Sequence, residues 1–383
     1  MALSKIQLAF HYGFEEYSKN YFPNVIQLKA AHSILRCKTG FFGYNTSFCS
    51  ECGYLEFHTN SCRNRNCPNC QAIQKEIWID KRRSEVIDSP YFHVVFTIPA
   101  SLNSLVYANQ KLLYDLLHKA SSQTLLELSQ NPRFLGATPG IIQVLHTWGQ
   151  ELNFHPHIHC IVSGAGLSKD LKLKKCGKSF FIPAKVLSEK FKGKFLYYLD
   201  RYYKTGLLTF SASCSKLKNA SSWQKFKDSL YSTTWAPHIK ETFNGNGNAI
   251  DYLGRYTHRI AITNTRIKEV TREKVSFTAK DYITGKSKII SLPCAEFVRR
   301  IMMHVLPSGF QKIRYFGFLN NRCKKKYLSI IFNIQGHQHF LPKLSGLSMP
   351  EILKTVWDYD ITFCRSCGCF SMRHLKKSYN LRC

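Results

Sequence analysis

The chain has 383 residues, of which 44% are hydrophobic and 20% are charged, so a packed core is expected and wholesale disorder is excluded. No stretch reaches about 18 uninterrupted apolar residues, and Lys5, His11 and Glu15 break the apolar N-terminus, so neither a membrane span nor a secretory signal is predicted. Lysine and arginine outnumber aspartate and glutamate by 54 to 24, a net charge of +30, which is too large for an ordinary metabolic enzyme and indicates a polyanionic partner, most often nucleic acid.

The cysteine content of the chain indicates metal binding. There are 15 cysteines, an odd number, in a chain without an evident export signal, so a disulfide framework is not expected. Six of them fall between Cys37 and Cys70, in a segment with few long apolar runs. Because such a segment cannot build a core from side-chain packing alone, we expect a bound metal ion to stabilise it.

Two Cys-x2-Cys pairs in this segment predict a structural zinc site. Cys49 and Cys52 form the first pair, and Cys67 and Cys70 form the second pair after an interval of 14 residues. Thiolates three residues apart can converge on one tetrahedral ion, and two such pairs leave no position open for water. We therefore expect Zn²⁺ at these four cysteines. The neighbouring donors leave open either a second site or ordinary buried thiols: His32, Cys37, His58 and Cys62.

The next elements predict an α+β sheet domain. Residues 71–87 have the pattern of a basic helix, and residues 91–98 form an apolar, aromatic and β-branched run that suits a buried strand. Apolar residues then recur at helical spacing over residues 102–126, with the polar Asn109 interrupting the stripe. Two further strands are predicted at residues 140–148 and 157–163. The order strand, helix, strand, strand is typical of a compact α+β domain.

The second of these strands carries a histidine pair that predicts a catalytic metal. His157 and His159 are two residues apart and therefore project from the same face, while Ile158, Cys160 and Val162 face the opposite side and can pack on helices. Two adjacent imidazoles suit a divalent cation. The third ligand is expected to be Gln150, whose amide oxygen suits a hard cation. The rival third ligands are Glu151, His146 and His155.

Histidine pairs also occur in two other classes of metal-dependent hydrolase. The metallo-β-lactamase type needs an Asp-His soon after the pair, whereas this chain continues with Cys160, Ile161 and Val162. The barrel amidohydrolase type places its pair near the start of eight βα units, which this chain does not show. Both classes are disfavoured.

A later helix offers candidate nucleophiles. Tyr252 and Tyr256 are four residues apart in AIDYLGRYTHRI and share a helix face, and Arg255 and Arg259 form a second such pair beside them. A phenol attacks a phosphate when cations stabilise both the phenolate and the phosphate. The alternative is that the two rings are core residues of an amphipathic helix.

The C-terminal third contributes a hairpin from Lys274, an amphipathic helix from Cys294 and a second cysteine group. Cys364, Cys367 and Cys369 contain one clear Cys-x2-Cys pair, which is a candidate for a second zinc. Basic residues beside the first cysteine group and on the amphipathic helix are candidates for DNA contacts, with a solvated surface as the alternative: Arg63, Arg65, Arg299 and Arg300.

Five segments together resemble the rolling-circle transposases of the insertion-sequence ninety-one family. They are NSCRNRNCPNCQ, YFHVVFTIP, LHTWGQELNFHPHIHCIVSGAGLS, DYLGRYTHRIAITNTRI and EFVRRIMMHVLPSGFQKIRYFGFL. They occur in the family's order, and the resemblance runs from about residue 30 to about residue 330. Asn66 stands where the family usually has a histidine, and the C-terminal cysteine region matches only loosely.

The resemblance implies a nuclease of the His-hydrophobe-His class, in which His157 and His159 hold Mg²⁺ or Mn²⁺ and Tyr252 and Tyr256 are nucleophiles. The implied fold is α+β, a central antiparallel sheet with flanking helices behind a small zinc-binding domain. The expected divisions are residues 1–88 (zinc-binding), 89–290 (catalytic) and 291–383 (basic, helical and DNA-binding).

Single-strand cleavage through a 5′-phosphotyrosine, followed by strand transfer, is the expected chemistry. It needs no nucleoside triphosphate, and the chain contains no GxxxxGK[ST] phosphate loop. The expected partners are single-stranded ends of a mobile element, target DNA and the host replication machinery, in the bacterial cytoplasm at the nucleoid. The alternative is a zinc-ribbon nucleic-acid-binding regulator without catalytic activity.

Overall fold

The computed structural model describes residues 3–177, 179–242, 250, 254, 261–281, 285–336 and 341–377. The helices are α1 (Lys5–Tyr21), α2 (Val25–Arg36), α3 (Ala72–Arg83), α4 (Asn103–Ala108), α5 (Gln110–Gln130), α6 (Ala184–Lys204), α7 (Ala220–Ser232), α8 (Cys294–Met303), α9 (Lys324–Gln335) and α10 (Met349–Trp357). The strands are β1 (Tyr44–Cys49), β2 (Leu55–Thr59), β3 (Tyr91–Thr97), β4 (Thr138–Trp148), β5 (Phe154–Leu167), β6 (Leu173–Lys175), β7 (His238–Thr242), β8 (Ile267–Val270), β9 (Lys274–Lys280), β10 (Ser287–Pro293), β11 (Ile313–Gly317) and β12 (Met372–Lys377). None of these described helices is both long enough and apolar enough to cross a bilayer.

A six-stranded antiparallel sheet forms the centre of the fold. Its strand order is β11-β4-β5-β3-β7, and β6 pairs with the far end of β5. Within this sheet β4 and β5 form a long hairpin, because consecutive apolar strands joined by a short turn pair directly. This architecture confirms the predicted α+β class with an antiparallel sheet and flanking helices.

One face of the central sheet is covered by helices. Ile158, Cys160 and Val162 of β5 lie in the main buried cluster with residues of α5 and α6. Because side chains alternate along a strand, the pleat sends these three residues into the helices and their neighbours to the other side. The predicted division of β5 into a packed face and a histidine face is therefore confirmed.

The histidine face of the sheet has its own core. Val144 and Ile161 of this face are buried together with Ile79 of α3, Ile331 of α9 and the isolated described residue Ile250. Val144 is the cross-strand partner of His159, and Ile161 lies two residues after His159 on the same strand. The face that carries the histidines therefore also receives α3, α9 and Ile250.

The N-terminal helices pack against the C-terminal third of the chain. Ala9 and Phe10 of α1 share a buried cluster with Phe297 of α8 and Phe277 of β9. A Cβ atom added to Gly13 would lie only 2.4 Å from the backbone carbonyl of Cys294, so α1 and α8 meet at backbone distance. Residues from both sides of the predicted boundaries at 88 and 290 therefore share one core.

The polar interruption at Asn109 marks a helix break. The Asn109 backbone has φ −127°, and the structure ends α4 before it and begins α5 after it. The Asn109 side-chain amide donates to the carbonyl oxygens of Leu105 and Thr209, at 2.9 and 2.7 Å. A buried amide that satisfies backbone carbonyls explains why a polar residue stands within an apolar stripe.

A small sheet joins the two ends of the chain. β1 and β2 form a hairpin, and β12 adds to its outer edge, in the order β12-β1-β2. Cys49, the last residue of β1, and Cys52, in the turn before β2, lie at the tip of this hairpin. Cys37 and Cys62 lie at its base, where the Lys38 N–H donates to the Asn60 carbonyl.

Candidate active site and metal centres

The histidine pair lies at the middle of the sheet with its imidazoles in direct contact. The Nε2 atoms of His157 and His159 are 3.0 Å apart. His146 of β4 is the cross-strand partner of His157, and the nitrogens of all three rings lie within 4.8 Å of one another. Antiparallel pairing of β4 and β5 places cross-strand partners on the same face, which is what brings His146 to the pair.

Two hydrogen bonds orient the pair for metal binding. The Nδ1 atom of His157 lies 2.7 Å from the carbonyl oxygen of His155, which can only accept, so Nδ1 carries the proton and Nε2 keeps its lone pair. The Nδ1 atom of His159 lies 2.8 Å from Nε2 of His93 on β3. Metal-bound histidines ordinarily use their second nitrogen in this way, which fixes the ring and the tautomer.

The donor set fits a divalent cation. Two imidazole nitrogens each about 2.1 Å from one ion and about 90° apart are separated by about 3.0 Å, which is the separation of the two Nε2 atoms. Burial lowers the pKa of His157 to about 4 and, with its histidine neighbours, holds the pKa of His159 well below its ordinary value. Both rings are therefore neutral at pH 7, the state that binds metal.

The structure brings His146, a rival in the sequence analysis, to the pair as a third imidazole. Gln150, the expected third ligand, lies in the turn after β4, where its backbone carbonyl accepts from Arg266. The His146 ring stacks on Trp148 at 4.5 Å, and the Lys312 ammonium lies 4.9 Å from the centroid of the same indole.

Sequence reasoning missed His93 and Lys312 as neighbours of this site. His93 lies on β3 within YFHVVFTI, where it resembled one more buried residue. Lys312 directly precedes β11, more than 150 positions after the pair, and burial lowers its pKa to about 7. Only the presence of a titratable residue within each apolar run could have marked them.

The predicted nucleophiles Tyr252 and Tyr256, with Arg255 and Arg259, lie outside the described residues. Two residues of their segment are described. Ile250 is 2% exposed and belongs to the cluster on the histidine face. A Cβ atom added to Gly254 would lie 2.4 Å from Cδ1 of Ile79, so the Gly254 backbone packs directly on α3.

The N-terminal cysteines do not form the predicted set. Cys67 and Cys70 are grouped with Cys37 and Cys62, all four Sγ atoms within 4.8 Å, and the Cys62 and Cys70 sulfurs are 3.7 Å apart. The expectation of one site at Cys49, Cys52, Cys67 and Cys70 is therefore wrong. The two pairs lie at opposite ends of a hairpin whose six-residue strand β1 measures about 20 Å at about 3.3 Å per residue.

Cys49 and Cys52 are grouped instead with Cys364 and Cys367 from the C-terminal segment. Cys369, the third member of the predicted C-terminal set, lies outside this group: its sulfur is 3.9 Å from the Cys367 carbonyl. Each group therefore offers four sulfurs and no open position, which fits a structural zinc and not a catalytic one.

The four arginines predicted to contact DNA differ in their surroundings. Arg63 is exposed. Arg65 donates to the carbonyl oxygens of Leu306, Pro307 and Phe310. Arg299 and Arg300 of α8 both pair with Glu296, at 2.6 and 2.7 Å. The guanidinium groups of Arg65, Arg299 and Arg300 are thus engaged within the protein, which leaves their predicted phosphate contacts without structural support.

Comparison with known proteins relates this chain to transposases. Residues 9–98 match a family model described as "Transposase zinc-binding domain", and residues 140–326 match one described as "Putative transposase". A protein of Sinorhizobium fredii named "Putative transposase y4qJ" is 39% identical over 305 residues, which cover 79% of this chain and 77% of the relative. The "Transposase for insertion sequence element IS801" of Pseudomonas savastanoi is 29% identical over 315 residues, 80% of this chain and 73% of the relative.

No solved structure matches this chain. The match to the Sinorhizobium relative exceeds 30% identity and covers most of both proteins. The two family models account separately for the cysteine-rich N-terminal segment and for the strands that carry the histidine pair. A transposase acts on DNA, which agrees with the net charge of +30. The chain therefore belongs to the insertion-sequence ninety-one (IS91) family of transposases, and its N-terminal segment is a zinc-binding domain of that family.

Proposed function

We propose that this transposase cleaves and rejoins single-stranded DNA at the ends of a mobile element through a tyrosine nucleophile assisted by a divalent cation. The observation that carries the proposal is the histidine face of the central sheet. There the Nε2 atoms of His157 and His159 lie 3.0 Å apart. This is the separation expected of two imidazole ligands about 90° apart on one ion, so a divalent cation can take the place of the proton that the two nitrogens otherwise share.

The proposed ligands of Mg²⁺ or Mn²⁺ are His146, His157 and His159, with His146 in place of Gln150. A cation bound there would supply positive charge to the non-bridging oxygens of the scissile phosphate. His93 orients His159, and the carbonyl of His155 orients His157. Lys312, whose Nζ lies 4.9 Å from the centroid of the Trp148 ring, is a neighbour of the cluster, and its lowered pKa of about 7 leaves the side chain partly neutral at that pH.

The proposed nucleophile is Tyr252 or Tyr256. Support comes from the two described residues on either side of Tyr252, because Ile250 and Gly254 pack on the same side of the sheet as His159. Arg255 and Arg259 are proposed to stabilise the charge of the phosphate during attack.

The proposed step breaks one phosphodiester bond and forms another. The tyrosine Oη loses its proton and bonds to phosphorus, while the bond from phosphorus to the 3′-oxygen breaks and that oxygen takes up a proton. The products are a 5′-phosphotyrosine and a free 3′-hydroxyl. The reverse reaction on target DNA completes strand transfer, and no nucleoside triphosphate is consumed. The free 3′-hydroxyl would serve the host replication machinery, in the cytoplasm at the nucleoid.

A covalent adduct assay tests this proposal. The full-length protein is incubated with a single-stranded oligonucleotide of an element end and Mn²⁺, and SDS-resistant protein–DNA bands are counted. We expect an adduct from the parent protein and none from the double variant Tyr252→Phe with Tyr256→Phe. The matched control is Tyr197→Phe, which removes a hydroxyl from an exposed ring on α6 and should leave the adduct unchanged.

Two results would refute parts of the proposal. An adduct that survives in the double tyrosine variant would place the nucleophile elsewhere. Undiminished cleavage by the His157→Ala, His159→Ala variant would remove the metal role of the pair. Metal-independent DNA binding without any cleavage would favour the alternative, a zinc-ribbon regulator.

A further inference from the structure

A second cluster of four cysteines links the two ends of the chain. Its members are Cys49 and Cys52 from the β1–β2 hairpin and Cys364 and Cys367 from the segment before β12. The matched family segments end at residues 98 and 326, so neither reaches the C-terminal pair. The pairs are 312 positions apart along the chain, yet the sulfurs of Cys52 and Cys364 are 3.6 Å apart.

The sulfur separations distinguish a metal site from a disulfide. Cys49 and Cys367 are also 3.6 Å apart, and all four sulfurs lie within 4.8 Å of one another. A disulfide would bring one pair of sulfurs to about 2.05 Å and leave the others free. Four sulfurs about 2.3 Å from a central Zn²⁺ form a tetrahedron with edges of about 3.8 Å. The observed spacing fits the tetrahedron.

The two Cys-x2-Cys pairs have the same local structure although they come from unrelated parts of the chain. Each is followed by a glycine in the left-handed region, Gly53 at φ +71° and Gly368 at φ +77°. The N–H of Gly53 donates to the Cys49 carbonyl at 3.0 Å, and the N–H of Gly368 donates to the Cys364 carbonyl at 2.9 Å. Because Cβ atoms disfavour this conformation, glycine is the residue that suits both turns.

The two turns also share a second backbone hydrogen bond. The N–H of Cys49 donates to the carbonyl five residues later at 2.9 Å, and the N–H of Cys364 does the same at 2.8 Å. These bonds fold each turn so that both of its thiols point the same way. Two turns of identical construction that face each other supply two ligands each, which is how a closed four-sulfur site is assembled.

The apolar core beneath these turns is small. Cys49 and Cys364 are fully buried, and among the residues that the structure describes the cluster adds only Met372. Strand pairing of β12 with β1 and the bond from the Ser50 N–H to the Ser371 carbonyl hold the segments in register. A unit with this little apolar packing depends on a metal or a covalent link for its stability.

We propose that Cys49, Cys52, Cys364 and Cys367 bind one zinc ion that fastens the C-terminal segment to the N-terminal hairpin. This zinc is additional to the one held by Cys37, Cys62, Cys67 and Cys70. It closes a loop that contains the whole central sheet, so it fixes where the C-terminal segment lies relative to the rest of the transposase. The proposal does not depend on the tyrosine chemistry.

Zinc content of the full-length protein tests the proposal. We expect two zinc ions per chain in the parent protein, by elemental analysis after gel filtration. Cys367→Ser should lower the content to one. The matched control is Cys369→Ser, two positions away and outside the cluster, which should keep both ions. Cys364→His, which retains a zinc-binding side chain, should also keep both. One zinc per chain in the parent, or two in Cys367→Ser, would overturn the proposal.

Alkylation of the unmodified parent protein gives a second measurement that needs no variant. Cys52 and Cys367 are exposed, so as free thiols they would react with iodoacetamide at once. We expect both to be protected in the zinc-loaded protein and released together by a chelator, as read by mass spectrometry. Rapid alkylation before chelation would refute the site. Release by a thiol reductant instead of a chelator would identify a disulfide and equally refute it.

Discussion

The hydrogen bond between His93 and His159 leads us to predict that His93 increases the affinity of the histidine cluster for its cation. The two rings are parallel within 5°, with the nitrogens 2.8 Å apart, and the exposed fractions are 3% for His93 and 8% for His159. For His159 to bind a cation through Nε2, its Nδ1 must carry the proton and donate to His93. Replacing His93→Phe keeps a ring of similar size and removes the acceptor.

The size of the effect follows from two independent estimates. Loss of an outer hydrogen-bond partner of a metal ligand costs about 10- to 100-fold in metal affinity, or about 1.4 to 2.7 kcal/mol. Leaving the buried Nδ1–H of His159 without its acceptor costs about 1 to 3 kcal/mol. The two ranges agree. We therefore expect the Mn²⁺ dissociation constant of His93→Phe to rise by about 10- to 100-fold.

Calorimetric Mn²⁺ titration of the zinc-loaded protein measures this constant directly, and a Mn²⁺ titration of adduct formation measures its effect. The adduct yield of His93→Phe should recover at saturating Mn²⁺. His93→Gln, which retains a polar side chain, should restore part of the affinity. The matched control is His118→Phe, because His118 is also buried and hydrogen-bonded, to the Gln143 amide at 2.9 Å on the helix-covered side of the sheet. An unchanged Mn²⁺ constant in folded His93→Phe would refute the reasoning.

Three further predictions concern stability. Gly317→Ala should lower the free energy of unfolding by at least about 2 kcal/mol in urea titrations. The reason is that Gly317 has φ +63° and that the added Cβ would lie against the Pro139 carbonyl oxygen. An unchanged urea midpoint of unfolding would contradict this prediction. Burial lowers the pKa of His118 to about 3, so between pH 6.5 and pH 3 the unfolded chain binds one more proton than the folded protein. As the pH falls through this range, the free energy of unfolding should therefore decrease by up to about 1.4 kcal/mol per pH unit. His118→Phe should flatten this slope, and an identical slope in the variant would exclude His118 as its source. Arg299 and Arg300 lower the pKa of Glu296 to about 2. Glu296→Gln should therefore lower the free energy of unfolding by about 1 kcal/mol at pH 7, and the difference from the parent should vanish as the pH falls from 4.5 toward 2. A difference that persists at pH 2 would rule out charge as the cause.

Local patterns in the sequence determined the elements and their chemistry. Alternation along β5 separated His157 and His159 from Ile158, Cys160 and Val162, because the pleat of a strand fixes which side chains share a face. The helices α3, α5 and α8, the β9–β10 hairpin and the expectation of zinc followed from patterns that span a few residues. The five quoted motifs sufficed to predict the family.

Partnerships across long distances were decided only by the tertiary structure. Spacing identified Cys49-x2-Cys52 and Cys67-x2-Cys70 as ligand pairs, but the length of the β1–β2 hairpin keeps them apart and gives each pair other partners. The third imidazole, His146, was one of several candidates until strand register set it opposite His157. The sequence likewise made Arg65 a candidate for DNA contacts, yet its guanidinium donates to carbonyls more than 200 positions away. A ligand's type is a property of its own residue, whereas its partners depend on how distant segments pack, and no local pattern encodes that.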